Sequence, residues 1–130
     1  MKIELLALAD FAADYGGKLS IVGIFDTIFA RLMPAVHPHC CLAVKLRFDP
    51  DEAGQKQLRL LIRHDDGKLV LPAMEIPITV AMAADAQTTT IQVVANIAGM
   101  KIETFGEYSI DLELDGRHEG STPLFARQMK

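Results

Sequence analysis

Hydrophobic and polar residues alternate along most of this chain with the period of two that is typical of half-buried β-strands. The clearest example runs from Cys40 to Phe48. Its apolar face is made of alternate residues, namely Cys40, Leu42, Val44, Leu46 and Phe48. The opposite face carries Cys41, Ala43, Lys45 and Arg47. The pattern therefore predicts a strand in which Cys40 is buried and Cys41 is more exposed.

The same alternation recurs in residues 2–11, 57–63, 74–80, 88–98 and 108–114, with a short last strand near residues 123–126. Glycine-containing turn signals separate these segments at residues 14–17, 65–67 and 115–116. Pro72 and Pro77 place the segment 68–80 at a sheet edge or a bulge, because proline cannot donate to a central ladder. One polar face per strand favours antiparallel sheets. We therefore predict an all-β fold, an antiparallel two-sheet β-sandwich of about eight strands in a single domain spanning residues 1–130, with a small closed β-barrel as the alternative.

The segment 18–30 departs from the alternation because it is apolar almost throughout. This composition predicts a strand buried on both faces, and Gly23 predicts a bulge or a close approach of the backbone. Residues 31–38 are interpreted as a connection, since Pro34 and Pro38 lack the N–H that a central ladder needs. The apolar content of residues 19–30 and 40–44 exceeds what one shared core requires, which predicts an oligomer interface.

Charge and length narrow the classes of function. The chain has 130 residues and a net charge of −4, which argues against nucleic-acid binding through phosphate neutralisation. No stretch approaches the length of a membrane span, and acidic residues interrupt the apolar start, so we expect no membrane association and a cytoplasmic location. Cys40 and Cys41 are adjacent, and neighbours on a strand point to opposite faces, so no disulfide is expected between them.

The segment His37-Pro-His-Cys-Cys41 combines the imidazole and thiolate groups that zinc and copper prefer. On an extended strand His37, His39 and Cys41 share a face, which makes them candidate metal ligands. A metal requires convergence of such groups and a further ligand, for which His64, Asp65 and His118 are available. The competing interpretation is a loop followed by a strand with one core cysteine. In the same way, the acidic turn at residues 49–54 is either a loose calcium site or a solvated turn.

The first third of the chain resembles a family of small bacterial proteins of unknown function. The resemblance lies in Ala9-Asp10, in residues 17–28 (GKLSIVGIFDTI) and in Met33-Pro-Ala-Val-His-Pro38, and less distinctly in residues 65–68 and 106–108. It implies a stand-alone β domain. It implies no activity and transfers no functional residue.

We therefore expect a non-enzymatic binding or assembly module that forms a homo-oligomer or binds a further protein partner, with no catalytic residue and no cofactor. The candidate interaction surface is the connecting segment 29–39. Its residues of interest are Phe29, Leu32, Met33, Val36, His37 and His39. The alternative for these side chains is a lid folded back on the core. The alternative function is a metal-binding protein or metal-dependent hydrolase built on His37, His39 and Cys41.

Overall fold

The computed structural model describes every residue from Met1 to Lys130. It contains one short 3-10 helix, Pro50–Glu52, and nine strands: β1 (Lys2–Tyr15), β2 (Lys18–Phe25), β3 (Thr27–Ala30), β4 (Ala35–Phe48), β5 (Gly54–His64), β6 (Met74–Val80), β7 (Thr89–Ile102), β8 (Gly106–Leu114) and β9 (Arg117–Gln128). The structure has no helix whose length and apolar character suit a membrane crossing.

The strands form two hydrogen-bonded sheets. The four-stranded sheet has the order β2-β1-β4-β7, and the five-stranded sheet has the order β3-β9-β8-β5-β6. Neighbouring strands are antiparallel except for β3 and β9, which run parallel. The prediction of an all-β, antiparallel two-sheet sandwich is confirmed, with nine strands where about eight were expected.

The core lies between the two sheets and follows the alternation seen in the sequence. All five residues of the predicted inner face of β4 are inaccessible to solvent: Cys40, Leu42, Val44, Leu46 and Phe48. The facing sheet contributes the predicted inner residues of β5 and β8, which include Leu58, Leu60, Ile62, Ile110 and Leu112. Burying each such aliphatic side chain stabilises the fold by about 1.5–3 kcal/mol before entropy is counted. The edge position expected for the proline-containing segment is also found, because β6 pairs with β5 alone.

The prediction of one strand buried on both faces in residues 18–30 is wrong. Asp26 divides the segment into β2, at the edge of the four-stranded sheet, and β3, at the edge of the five-stranded sheet. Val22 and Ile24 are each 61% exposed. The apolar run was interpreted as a buried strand. Because β2 and β3 are edge strands with a neighbouring strand on one side only, part of their apolar surface remains exposed. Both sheets therefore end on the same side of the sandwich, joined by one residue.

The connection predicted at residues 31–38 is shorter than expected, because β4 already begins at Ala35. Residues 35–39 of β4 pair with residues 98–102 of β7. Pro38 is tolerated there because β1 pairs with β4 only as far as Cys41, which leaves β7 as the single neighbour.

The β1–β2 hairpin bends back over the outer face of its own sheet. Gly23 has a φ of +73° and gives close approach, since a Cβ there would lie 2.6 Å from Asp10 Oδ2, as the sequence predicted for this position. Beyond the bend, Gln92 Nε2 of β7 donates a hydrogen bond of 2.7 Å to the carbonyl of Gly17 at the hairpin tip. We call this bent part, residues 11–22, the arm.

The arm explains why the exposure predicted for Cys41 is wrong. Cys41 does lie on the outer face, but it is only 1% exposed, because it forms a buried cluster with Ala12 of the arm and Ala43. Leu19 and Ile21 of the arm pack against this cluster. The last strand was also underestimated, since β9 runs from Arg117 to Gln128 rather than near residues 123–126.

Candidate docking surface

The predicted interaction surface is divided between exposed and packed side chains. Phe29 and Val36 are exposed, and Leu32 is the most exposed large apolar residue at 78%. Met33, by contrast, is half-buried and packs against the core, so the lid interpretation applies to this residue. His37 is half-buried and His39 is exposed. We use the name docking surface for Phe29, Leu32 and Val36 together with three exposed side chains described next, Phe11 of β1 and Val22 and Ile24 of β2.

The sequence analysis missed part of this surface, because it assigned the residues of β2 to the interior. Ile24 and Phe29 border the same cavity, which places the exposed side chains of β2 and β3 side by side. Phe11 pairs with Val22 across the arm, and both are exposed. Between Leu19 and Ala30 the only charged residue is Asp26. Edge strands are usually shielded by charges, prolines or bulges, and here the Gly23 bend is the one such feature.

A shallow cavity of about 290 Å³, largely open to solvent, lies within the docking surface. Its wall includes Asp10, Gly23, Ile24, Phe25, Phe29 and His37. The His37 ring lies 5.4 Å from the Phe25 ring, centroid to centroid. The Asp10 carboxylate lies over Gly23 and makes no hydrogen bond or ion pair with another residue of the chain. Burial raises the pKa of the neighbouring Cys40 thiol to about 11, and the charges of Cys41 and Asp10 act in the same direction.

The candidate metal ligands do not converge. His37 packs on Phe25, which contacts the core between the sheets. Cys41 instead lies under the arm, and its thiol donates to Asn96 Oδ1 at 3.1 Å. His39 is exposed. The shared face expected for these three residues is therefore not formed, and no ligand atoms of theirs lie together.

One group of side chains does bring possible cation ligands together, namely Asp49, Asp51 and Glu52 in the turn considered for calcium. Glu52 is already occupied, because its carboxylate accepts from the Met1 amino group at 2.7 Å and from the Asp49 amide at 2.9 Å. These bonds lower the pKa of Glu52, with the Asp49 amide as the largest cause. The arrangement is that of a capped acidic turn.

His64 takes part in a polar cluster at the corner where the chain crosses from β7 to β8. Its Nδ1 lies 2.9 Å from Asp65 Oδ1, and its Nε2 lies 3.2 Å from Thr104 Oγ1. The Tyr108 hydroxyl donates a bond of 2.6 Å to the Thr104 carbonyl four residues earlier, which is the geometry of a tyrosine corner. The carboxylate, imidazole and hydroxyl groups thus hold the corner between the sheets.

Three arginines on the sheet faces are matched by acidic side chains. Arg47 bonds to Glu4 at 2.6 Å, Arg63 to Asp111 at 3.0 Å and Arg59 to Glu113 at 3.3 Å. The Arg47 guanidinium lowers the pKa of Glu4. Such pairing leaves these cations engaged within the protein.

Comparison with known proteins identifies a family and no characterised relative. A search of curated proteins finds none that matches the chain. The resemblance to a domain of unknown function, based on the first third of the sequence, extends over nearly the whole chain. The family model described as "Family of unknown function (DUF6941)" matches residues 4–127, and the chain therefore belongs to this family.

Proposed function

We propose that this chain is a non-enzymatic assembly module that binds a second copy of itself through the docking surface. The observation that carries the proposal is the position of its exposed apolar side chains. Val22 and Ile24 lie on the edge strand β2, Phe29 lies on the edge strand β3 and Leu32 in the loop after it, Phe11 pairs with Val22, and Val36 lies at the start of β4.

Exposed aliphatic and aromatic groups of this size favour association, because each buries apolar area worth about 25 cal/mol per Å² when water is removed. Scattered single residues need no partner, but exposed apolar side chains that adjoin one another beside strand edges, as Ile24 does Phe29 and Phe11 does Val22, are typical of an interface. A standard interface covers about 800 Å² on each partner. This is about a tenth of the 7520 Å² surface of the chain. A second copy suits the surface because one self-complementary patch is sufficient for a two-fold dimer.

The test replaces Leu32, since its side chain is 78% exposed and contributes little to the core of a single copy. We expect the wild-type chain to be a dimer at micromolar concentration and Leu32→Asp to be a monomer with an unchanged melting temperature. Light scattering after size-exclusion chromatography measures the mass, and circular dichroism measures the melting. Met33→Asp is a poorer probe, because Met33 is half-buried and packs on the core, so we expect its replacement by aspartate to destabilise a single copy.

Ala84→Asp is the matched control. Ala84 is exposed in the loop between β6 and β7, at the end of the sandwich where Phe48 pairs with Thr89, whereas the docking surface adjoins the start of β4. This variant should remain dimeric. A monomeric wild-type chain at several hundred micromolar would overturn the proposal, and so would a Leu32→Asp variant that dimerises as well as the control.

A further inference from the structure

The Asp10 carboxylate occupies an unusual position, on the face of β1 that turns toward the core. Leu6 and Leu8 precede it on this face, and both contact the residues between the sheets. Asp10 itself is exposed to solvent, and no basic side chain of the chain forms an ion pair with its carboxylate. The lack of a side chain at Gly23 leaves the room that this carboxylate occupies.

The cavity beside Asp10 is suited to a cationic side chain with an apolar stem. Phe25 and Phe29 contribute aromatic rings to its wall, and a guanidinium or ammonium group is attracted to the face of such rings. The carboxylate at the wall then forms a charge-assisted hydrogen bond with the same group. Apolar side chains such as Ile24 border the opening and contact the stem.

The docking surface itself supplies a cation of this kind. Arg31 precedes Leu32 in the loop between β3 and β4 and is exposed. Gln128 Nε2 bonds to its carbonyl at 3.3 Å, which anchors the backbone, while the guanidinium makes no ion pair. The other basic residues nearby are engaged, since Lys101 pairs with Glu103 at 3.5 Å and Arg127 stacks over Phe125 at 4.9 Å.

We infer that Arg31 of each copy enters the Asp10 cavity of the other copy, so that two reciprocal Arg31–Asp10 pairs orient the dimer. The inference rests on the proposed function, because it concerns the same surface and the same second copy. A two-fold dimer requires donor and acceptor on one patch, and the docking surface carries both in unpaired form. The occupant is thus selected by charge complementarity as well as by apolar contact.

Charge reversal tests the inference by complementation. Asp10→Lys and Arg31→Glu each place two like-charged pairs in the homodimer, and we expect each to raise the dimer dissociation constant at least about 100-fold, taking about tenfold for each pair. In a mixture of the two variants, one heterodimer restores both pairs with opposite charge. Native mass spectrometry should therefore show the heterodimer as the main dimeric species. Asp85→Lys, an exposed aspartate in the loop between β6 and β7, is the control and should dimerise like the wild type.

The outcomes separate this inference from the proposed function. A monomeric wild-type chain overturns both. A wild-type dimer that tolerates both reversals, or a mixture that yields no heterodimer, overturns the Arg31–Asp10 pairing and leaves the assembly module standing. If Asp10→Lys prevents folding, the neutral variants Asp10→Asn and Arg31→Gln are used in place of the two charge reversals. The double neutral variant should then dimerise no worse than either single one, whereas additive losses would contradict a direct pair.

Discussion

Replacing Gly23 with alanine tests the bend that shapes both the arm and the Asp10 cavity. The residue has a φ of +73°, and an added Cβ would lie 2.6 Å from Asp10 Oδ2 and 3.1 Å from Asp10 Cγ. Two effects therefore lower the free energy of unfolding in Gly23→Ala. One is the left-handed backbone conformation, and the other is the displacement of the Asp10 carboxylate or of the arm.

The structure offers a control for each cost. Gly17 has a φ of +82° with nothing within 4 Å of an added Cβ, so Gly17→Ala carries the backbone cost alone, about 1–2 kcal/mol. For Gly23→Ala we expect a loss of about 3 kcal/mol, because close contact adds about 1 kcal/mol or more. In the double variant Asp10→Ala/Gly23→Ala, the contacts with Oδ2 and Cγ are removed and only a Cβ–Cβ contact of 3.2 Å remains, so the loss should fall most of the way to that of Gly17→Ala. The coupling between positions 10 and 23 is then about 1 kcal/mol.

Urea unfolding followed by far-ultraviolet circular dichroism measures these differences, since the chain has no tryptophan to report by fluorescence. A second measurement follows from the arm. If Gly23→Ala lifts the arm, the Cys41 thiol becomes accessible and reacts with a thiol reagent faster than in the wild type, where it is 1% exposed. Equal losses for Gly23→Ala and Gly17→Ala would refute the close contact, and unchanged thiol reactivity would show that the arm keeps its place.

Two further variants test the core and the corner. Tyr108→Phe removes the 2.6 Å hydrogen bond to the Thr104 carbonyl and should lower the free energy of unfolding by about 1 kcal/mol, measured in urea; no loss would mean that water replaces the bond at no cost. Burial raises the pKa of Cys40 from 9.0 to about 11, so the folded state keeps a proton that the unfolded state releases. Stability is therefore full below pH 9 and falls between pH 9 and 11, by roughly 2 kcal/mol at pH 11. Cys40→Val should remove this part of the alkaline loss, and an unaltered pH profile would contradict the assignment.

Strands with one solvent-exposed face were predictable from the sequence, and the inner residues of β4 were assigned correctly. From Cys40 to Phe48 a period of two is sufficient, because each inner side chain meets the facing sheet wherever that sheet lies. Residues 18–30 gave no such signal. Both halves of that segment are largely apolar, and Asp26, which separates them, does not reveal that the chain changes sheets there. The burial of Cys41 could not be predicted from the sequence either, because it depends on the arm covering the outer face of the sheet.

The candidate site was predictable only where it lies in a connection. Leu32 is exposed in the loop between β3 and β4, and Phe29 and Val36 are exposed although they lie in β3 and β4, whereas Met33 is packed against the core next to Leu32 in sequence. The period of two puts Asp10 on the same face of β1 as Leu6 and Leu8, but nothing in the sequence places it beside Phe25 and Phe29. Such proximity comes from the sheet change at Asp26 and the bend at Gly23, which are tertiary features.

These two features also link the fold to the proposed assembly. The sheet change at Asp26 brings two strand edges to one side of the sandwich, and the Gly23 bend makes β2 an irregular edge that is poorly suited to indiscriminate strand pairing. An edge shielded in this way favours recognition by side chains over backbone addition. The exposed apolar residues then provide affinity, and an unpaired carboxylate among them provides orientation, because a partner that leaves Asp10 unpaired loses the charge contact. The association that we propose through this side of the molecule thus relies on the same backbone geometry that leaves its apolar residues exposed.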